Sequence, residues 1–247
     1  MTESILRRLI RRVRIPKETS LDGITVALAS LPLPRPVKRR ILGGGYESHE
    51  RVLIKQALKT GDRVLELGAS LGIVSSLILR LIGPSGRLVA VEADPKLHDS
   101  FRRQLGANEL ECELVHALCC PIWTDRVPDH IARSVFQQST STLSGKAVSS
   151  DNRTCSPWKT AGTICGELNL DPNVLVCDIE GAESVWAESD SPFPDCLEKI
   201  IVELHPWING PEVAGAVLES MRQVGFEISG FSGTVFYLRR RPSPLHR

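Results

Sequence analysis

Four carboxylates stand at or beside the ends of short apolar runs: Glu66 in VLELG, Glu92 in VAVEAD, Asp178 in VLVCDIEG and Glu203 in IIVELH. An ionised carboxylate among apolar residues is costly without partners, so one such acid could be a local accident satisfied by backbone donors. Four call for a shared explanation. A polar, partly cationic ligand touched by all of them supplies one, and Glu180 and His205 add two further groups beside it that could take a proton or bind a cation.

These acids need elements that bring them together. From Asp62 onward, apolar runs alternate with helical patterns, the mark of successive βαβ units. Strands are predicted at 63–67, 87–92, 113–117, 174–178 and 199–204. Between the first two, Val74, Leu77, Ile78, Leu81 and Ile82 form a helical stripe that Gly83-Pro84 ends. A later helix begins near Pro211 and stops at Gly225. The runs 226–229 and 234–238 are too close to be parallel neighbours and predict an antiparallel hairpin. The predicted fold is α/β, a doubly wound, mostly parallel seven-stranded sheet with an antiparallel C-terminal edge hairpin. In such a sheet the carboxyl ends of the strands border the ligand crevice.

The first strand runs into Glu66-Leu67-Gly68-Ala69-Ser70-Leu71-Gly72 and then a helix. Glycines there let backbone approach a ligand and present the free N–H groups of a helix start. Glu92 ends the second strand, where an acid hydrogen-bonds ribose hydroxyls. Ribose is common to nicotinamide dinucleotides and S-adenosylmethionine. A dinucleotide turn needs G-x-G-x-x-G, whereas here Ala69 takes the middle position and Glu66 precedes the turn, which suits an ammonium and a sulfonium better than a pyrophosphate. S-adenosylmethionine is the expected cofactor, and an NAD-dependent oxidoreductase is the alternative enzyme.

Methyl transfer from a sulfonium needs an oriented acceptor and a place for any proton the acceptor loses. Asp178, Glu180, Glu203 and His205 are the candidate catalytic residues, with His205 expected as general base and Glu203 or Glu180 orienting it. Each has a structural reading too: Asp178 could hold the donor ammonium, Glu180 could cap a helix near Gly181, and Glu183 suits a first helical turn. The same groups could hold a divalent metal instead. No short motif fixes ligand spacing, so no metal ligand is assigned.

A chain of 247 residues with 42% hydrophobic and 24% charged residues can bury a full α/β core. A net charge of +1 argues against a nucleic-acid partner. Residues 1–40 are expected as a preamble and 41–247 as the catalytic domain. In that preamble, Arg7, Arg8, Arg11, Arg12 and Arg14 interleave with apolar residues from Ile5 on, a basic amphipathic pattern able to touch an anionic membrane weakly. No run is long enough to span a bilayer and no secretory signal is visible, so a cytoplasmic protein is expected. The seven cysteines contain no C-x-x-C pair and read as small buried hydrophobes. Residues 121–163, rich in Ser and Thr, are expected as a long irregular connection, either a lid or disordered.

The stretches GGYESHE (44–50), VLELGASLG (64–72), VEADP (91–95), VCDIEGAE (176–183) and IIVELH (200–205) together resemble the FkbM-type methyltransferases over roughly residues 40 to 238. The resemblance implies S-adenosylmethionine-dependent O-methylation of a hydroxyl on a small-molecule, sugar or polyketide-like acceptor. It also implies that Glu66, Gly68, Ala69 and Gly72 line the methionine and ribose, with Ser70 keeping hydrogen-bonding capacity in the turn. Glu92 and Ala93 would bind the ribose and flank the adenine, and Tyr46 and Glu47 would sit at the donor mouth. A non-catalytic interaction module on the same fold remains a third reading.

Overall fold

The computed structural model describes residues 15–132, 134–138, 145–149, 157–188 and 193–242. The basic stretch Ile5 to Arg14 lies outside them. The described strands, in chain order, are β1 Thr19–Leu21, β2 Ile24–Val26, β3 Arg63–Leu67, β4 Arg87–Glu92, β5 Glu113–His116, β6 Leu118–Cys120, β7 Ser134–Gln138, β8 Gly145–Ser149, β9 Trp158–Thr160, β10 Val174–Cys177, β11 Lys199–Glu203, β12 Phe226–Ser232 and β13 Val235–Arg240.

Seven of these form the central sheet in the order β12-β13-β11-β10-β3-β4-β5. Pairing is parallel from β11 through β5, while β13 runs antiparallel to both β11 and β12. The α/β class, the parallel core and the C-terminal antiparallel pair are as the sequence predicts. The hairpin strands are longer than expected, with a register shift between Ile228 and Gly230, and the last strand inserts inside the sheet so that β12 forms the edge. The order reverses at β3, whose neighbours are β4 and β10, and this places the crevice of an open α/β sheet at the carboxyl ends of β3 and β10.

Alternation along each strand covers both faces. Val64, Val174, Val176 and Ile201 meet the helix Ile73–Ile82 and the residues Leu21, Ile24, Val26 and Leu28. On the other side Leu65, Leu67, Val89, Val91, Leu175 and Val202 meet Ile164, Val217 and Met221. Residues 19 to 33, expected as a preamble, therefore contribute to the core, and the helix Arg35–Leu42 runs across the boundary drawn at residue 40. The segment 121–163, expected to be irregular, contains the antiparallel β7–β8 pair and the strand β9, which pairs in parallel with β6. Among the described cysteines 119, 120, 165 and 177 are buried and none is bridged. Among the described residues no helix is long and apolar enough to cross a membrane.

Candidate active site

The turns leaving β3 and β4 are tied to each other. Gly68 and Ala69 both donate their N–H to the carbonyl of Val91, at 2.9 and 3.0 Å. Gly68, Ser70 and Gly72 all have positive φ, at 89°, 48° and 77°. The Glu92 carboxylate, at the end of β4, accepts from the N–H of Ser70 and of Asp94, each at 2.7 Å. Burial pushes its pKa up to about 7 against these hydrogen bonds. The resemblance sets Gly72 at the ligand; on its side-chain side a Cβ would lie 2.9 Å from Leu105 and Phe101, so the missing side chain also admits the helix Pro95–Gly106.

Glu66 takes a different place from the one expected. It precedes the last residue of β3, so the strand's alternation turns it onto the face under the helix Ile73–Ile82. There it is 2% exposed and accepts from the Ser75 hydroxyl at 2.6 Å. Burial raises its pKa to about 7, Ser75 opposes the rise and Glu92 adds to it. In this geometry it is a carboxylate at the start of that helix, where the peptide dipoles favour it.

Tyr46 and Glu47 approach the same turn from the other side. Arg51 pins their segment by donating from Nε to the Tyr46 carbonyl at 2.8 Å and from Nη2 to the Gly44 carbonyl at 2.5 Å, while Nη1 pairs with Asp22. Tyr46 is buried, and burial and then Glu47 raise the pKa of its hydroxyl. Glu47, left-handed at φ 43°, begins the helix Ser48–Ala57. One helical turn on, Glu50 is 6% exposed. Carboxylate oxygens of Glu47, Glu50 and Asp178 lie within 4.8 Å of one another. Burial and then Asp178 push Glu47 up to about 7 and Glu50 well above the usual range.

Parallel pairing of Cys177 with Val202 sets the end of β10 beside the end of β11. Glu180 and Gly181 are both left-handed, at φ 55° and 100°, and Asn209 donates to the Gly181 carbonyl at 2.6 Å. This docks the short helix Pro206–Asn209 onto the turn and brings His205, 4% exposed, between three acids. Its Nε2 lies 3.4 Å from Asp178 Oδ1 and 3.6 Å from Glu180 Oε2, and its Nδ1 lies 3.4 Å from Glu183 Oε2. Burial works against a charged ring, but Asp178 and Glu183 outweigh it and push the pKa up to about 11. Carboxylates thus face both ring nitrogens, so in this geometry His205, expected as general base, is ranged against acids rather than open to the crevice. Burial and then Asp178 raise Glu180 to about 7. They raise Glu203 as well, though it accepts from the Thr234 hydroxyl at 3.0 Å.

The structure thus gathers Tyr46, Glu47, Ser70, Asp178, Glu180, Glu203 and His205 at one end of the sheet, with Glu92 tied to the turn beside them. Glu50 and Glu183 complete the cluster without having been expected in it. The i, i+3 spacing of Glu47 and Glu50 was their available signal, as was the short distance from Asp178 to Glu183. The arrangement concentrates carboxyl groups beside a nucleotide-type turn, and a cationic ligand there would favour their ionised form.

A model of the protein-L-isoaspartate(D-aspartate) O-methyltransferase family matches residues 49–120, which carry the glycine turn and Glu92. It is a different family from the FkbM type that the motifs resemble. No curated protein matches the sequence. Among solved structures the chain is similar to fibrillarin from Aeropyrum pernix with natively bound S-adenosyl-L-methionine, at 15% identity and TM-score 0.43, over 93% of this chain and 86% of that one. It is also similar to a TehB-like SAM-dependent methyltransferase from Corynebacterium glutamicum, at 12% identity and TM-score 0.45, over 84% and 95%. A protein described as an rRNA-methylase from Clostridium thermocellum aligns at 13% identity and TM-score 0.44, over 78% and 94%. The expectation of no nucleic-acid partner is withdrawn: a structure named for rRNA methylation is among those similar to this chain, and a near-neutral net charge does not exclude such a partner. In sheet architecture, and in sequence over residues 49–120, the chain is similar to Rossmann-like S-adenosylmethionine-dependent methyltransferases.

Proposed function

We propose that this protein is an S-adenosylmethionine-dependent methyltransferase that O-methylates a hydroxyl of a small-molecule, sugar or polyketide-like acceptor. The observation that carries the reading is the meeting of Glu47, Glu50 and Asp178 beside the turn Gly68 to Gly72. A pyrophosphate would be repelled there, and a ligand bearing an ammonium and a sulfonium would be attracted. Glu92 has lone pairs left for ribose hydroxyls after accepting its two N–H groups, since a carboxylate offers about four acceptor sites.

When bound, the donor supplies a methyl group on a positively charged sulfur. The chain's part is to hold an acceptor oxygen in line with that group and to take the proton the oxygen loses. In the geometry found both nitrogens of His205 face carboxylates. Glu47 and Glu203, the half-buried members of the cluster that are not ranged against the imidazole ring, are assigned that task. Calorimetric titration with S-adenosylhomocysteine tests the reading directly, and binding in the micromolar range is expected. Failure to bind it or S-adenosylmethionine, with a fluorescence response to NADH instead, would overturn it.

A further inference from the structure

We propose that Asp178, Glu180 and His205 bind one divalent metal ion of the Mg²⁺ or Mn²⁺ class, with Glu183 as the outer carboxylate that orients the histidine. The site stands on its own geometry, while any use of the ion in methyl transfer rests on the methyltransferase reading above.

The first observation is spacing. Asp178, Glu180 and His205 each offer one ligand atom within 4.8 Å of the others, and His205 Nε2 is 3.4 Å from Asp178 Oδ1 and 3.6 Å from Glu180 Oε2. These distances are long for aligned hydrogen bonds, which fall near 2.7–3.2 Å. They approach what a shared octahedral ion requires, since ligands about 2.1–2.5 Å from it stand roughly 3.0–3.5 Å apart when adjacent.

The second observation is independent of the acidity. His205 is 4% exposed, yet its Nδ1 has no hydrogen-bond partner, and Asp178 Oδ1 and Glu183 Oε2 are likewise buried without one. Asp178 Oδ1 faces His205 Nε2, so an ion between them would supply the partner it lacks, while Nδ1 and Glu183 Oε2 face each other on the far side of the ring. Glu183 Oε2 lies 3.4 Å from His205 Nδ1, and Glu183 Oε1 is fixed by the N–H of Ile179 at 2.8 Å. An anchored carboxylate behind a histidine whose other nitrogen faces two oxygen ligands is the carboxylate–histidine–metal arrangement. Two carboxylates and one imidazole suit magnesium or manganese. The adjacent Glu47, Glu50 and Glu203 add a field that favours a dication. This amends the sequence reading, which assigned no metal ligand.

The experiment uses the full chain, stripped with EDTA and dialysed, and titrated with Mn²⁺ alone under electron paramagnetic resonance. One ion per chain is expected, with electron spin echo modulation from a coordinated imidazole nitrogen in the unmodified protein. Asp178→Asn and His205→Gln should abolish that ion, and Glu183→Gln should weaken it by about ten-fold or more. Glu219→Gln, at an exposed acid on the helix Pro211–Gln223, should leave it unchanged. No Mn²⁺ binding at millimolar concentration, or binding without nitrogen modulation, overturns the proposal whatever the variants do. Calorimetry with S-adenosylhomocysteine in EDTA reports separately on the donor reading, so the failure of either is distinguishable.

Discussion

A Cβ placed on Gly68 would lie 1.8 Å from the carbonyl oxygen of Asp178. The turn after β3 and the end of β10 are therefore in backbone contact, and the Asp178 N–H donates to the Leu67 carbonyl at 3.0 Å in the same place. Glycine is required here by close approach and by φ 89° together.

Gly68→Ala must therefore push the turn or Asp178 aside. We expect at least about a ten-fold loss of S-adenosylhomocysteine affinity, near 1.4 kcal/mol, with a lowered thermal midpoint. Calorimetry and thermal unfolding on the same samples check this. Unchanged affinity would show that the turn does not border the donor.

How far the site was legible follows from the same residues. Strand positions and the convergence of Glu92, Asp178 and Glu203 follow from apolar runs ending in acids, because parallel neighbours align their carboxyl ends. The inward turn of Glu66 was legible in principle, since it stands one residue before the end of β3 and shares a face with Val64. The setting of His205 among three acids was not. It depends on Glu183 reaching behind the ring and on the helix Pro206–Asn209 docking against Gly181, which are tertiary contacts with no sequence period. Nor was the pairing of β6 with β9, whose partners are separated by the whole segment that shows no periodicity.

At the opposite end of the sheet, Lys199 Nζ pairs with both oxygens of Asp62, at 2.7 and 3.0 Å, and Asn173 and the Lys59 N–H complete the carboxylate. Both charged residues are buried. Lys199→Met leaves Asp62 without its counter-charge and should cost about 3–5 kcal/mol in urea unfolding. Adding Asp62→Asn should return part of that loss, because the stranded charge goes with it. A single variant as stable as the parent would mean that water already reaches the pair.

Glu66 gives stability a pH dependence. Its folded pKa, about 7, lies above the ordinary 4.5. The folded state therefore holds the proton more tightly, and this contribution is complete below pH 4.5 and lost as pH rises through 7. Glu66→Gln removes the titration. Relative to the parent it should gain about 3 kcal/mol between pH 4.5 and pH 8, from the 2.5-unit difference at about 1.36 kcal/mol each. Parallel denaturation curves at the two pH values decide it; a difference between variant and parent that does not move with pH would count against a buried, titrating Glu66.

Glu92 has two tasks to be separated. Its carboxylate ties the turns together through Ser70 and Asp94, and on the proposed reading it also meets ribose hydroxyls. Glu92→Gln keeps one carbonyl oxygen, so one turn N–H loses its acceptor, at a cost of about 1–3 kcal/mol in stability. That loss alone does not establish a ribose contact. The discriminating measurement compares S-adenosylhomocysteine with its 2′-deoxy and 3′-deoxy analogues. If the carboxylate accepts from a ribose hydroxyl, the parent should bind the analogue lacking that hydroxyl about ten-fold less tightly or worse, a hydrogen bond to a charged group being worth about 1.5–3 kcal/mol. In Glu92→Gln the discrimination should shrink, because the charged acceptor is gone from both complexes. If parent and variant discriminate equally, Glu92 only holds the turn, and the ribose is bound elsewhere.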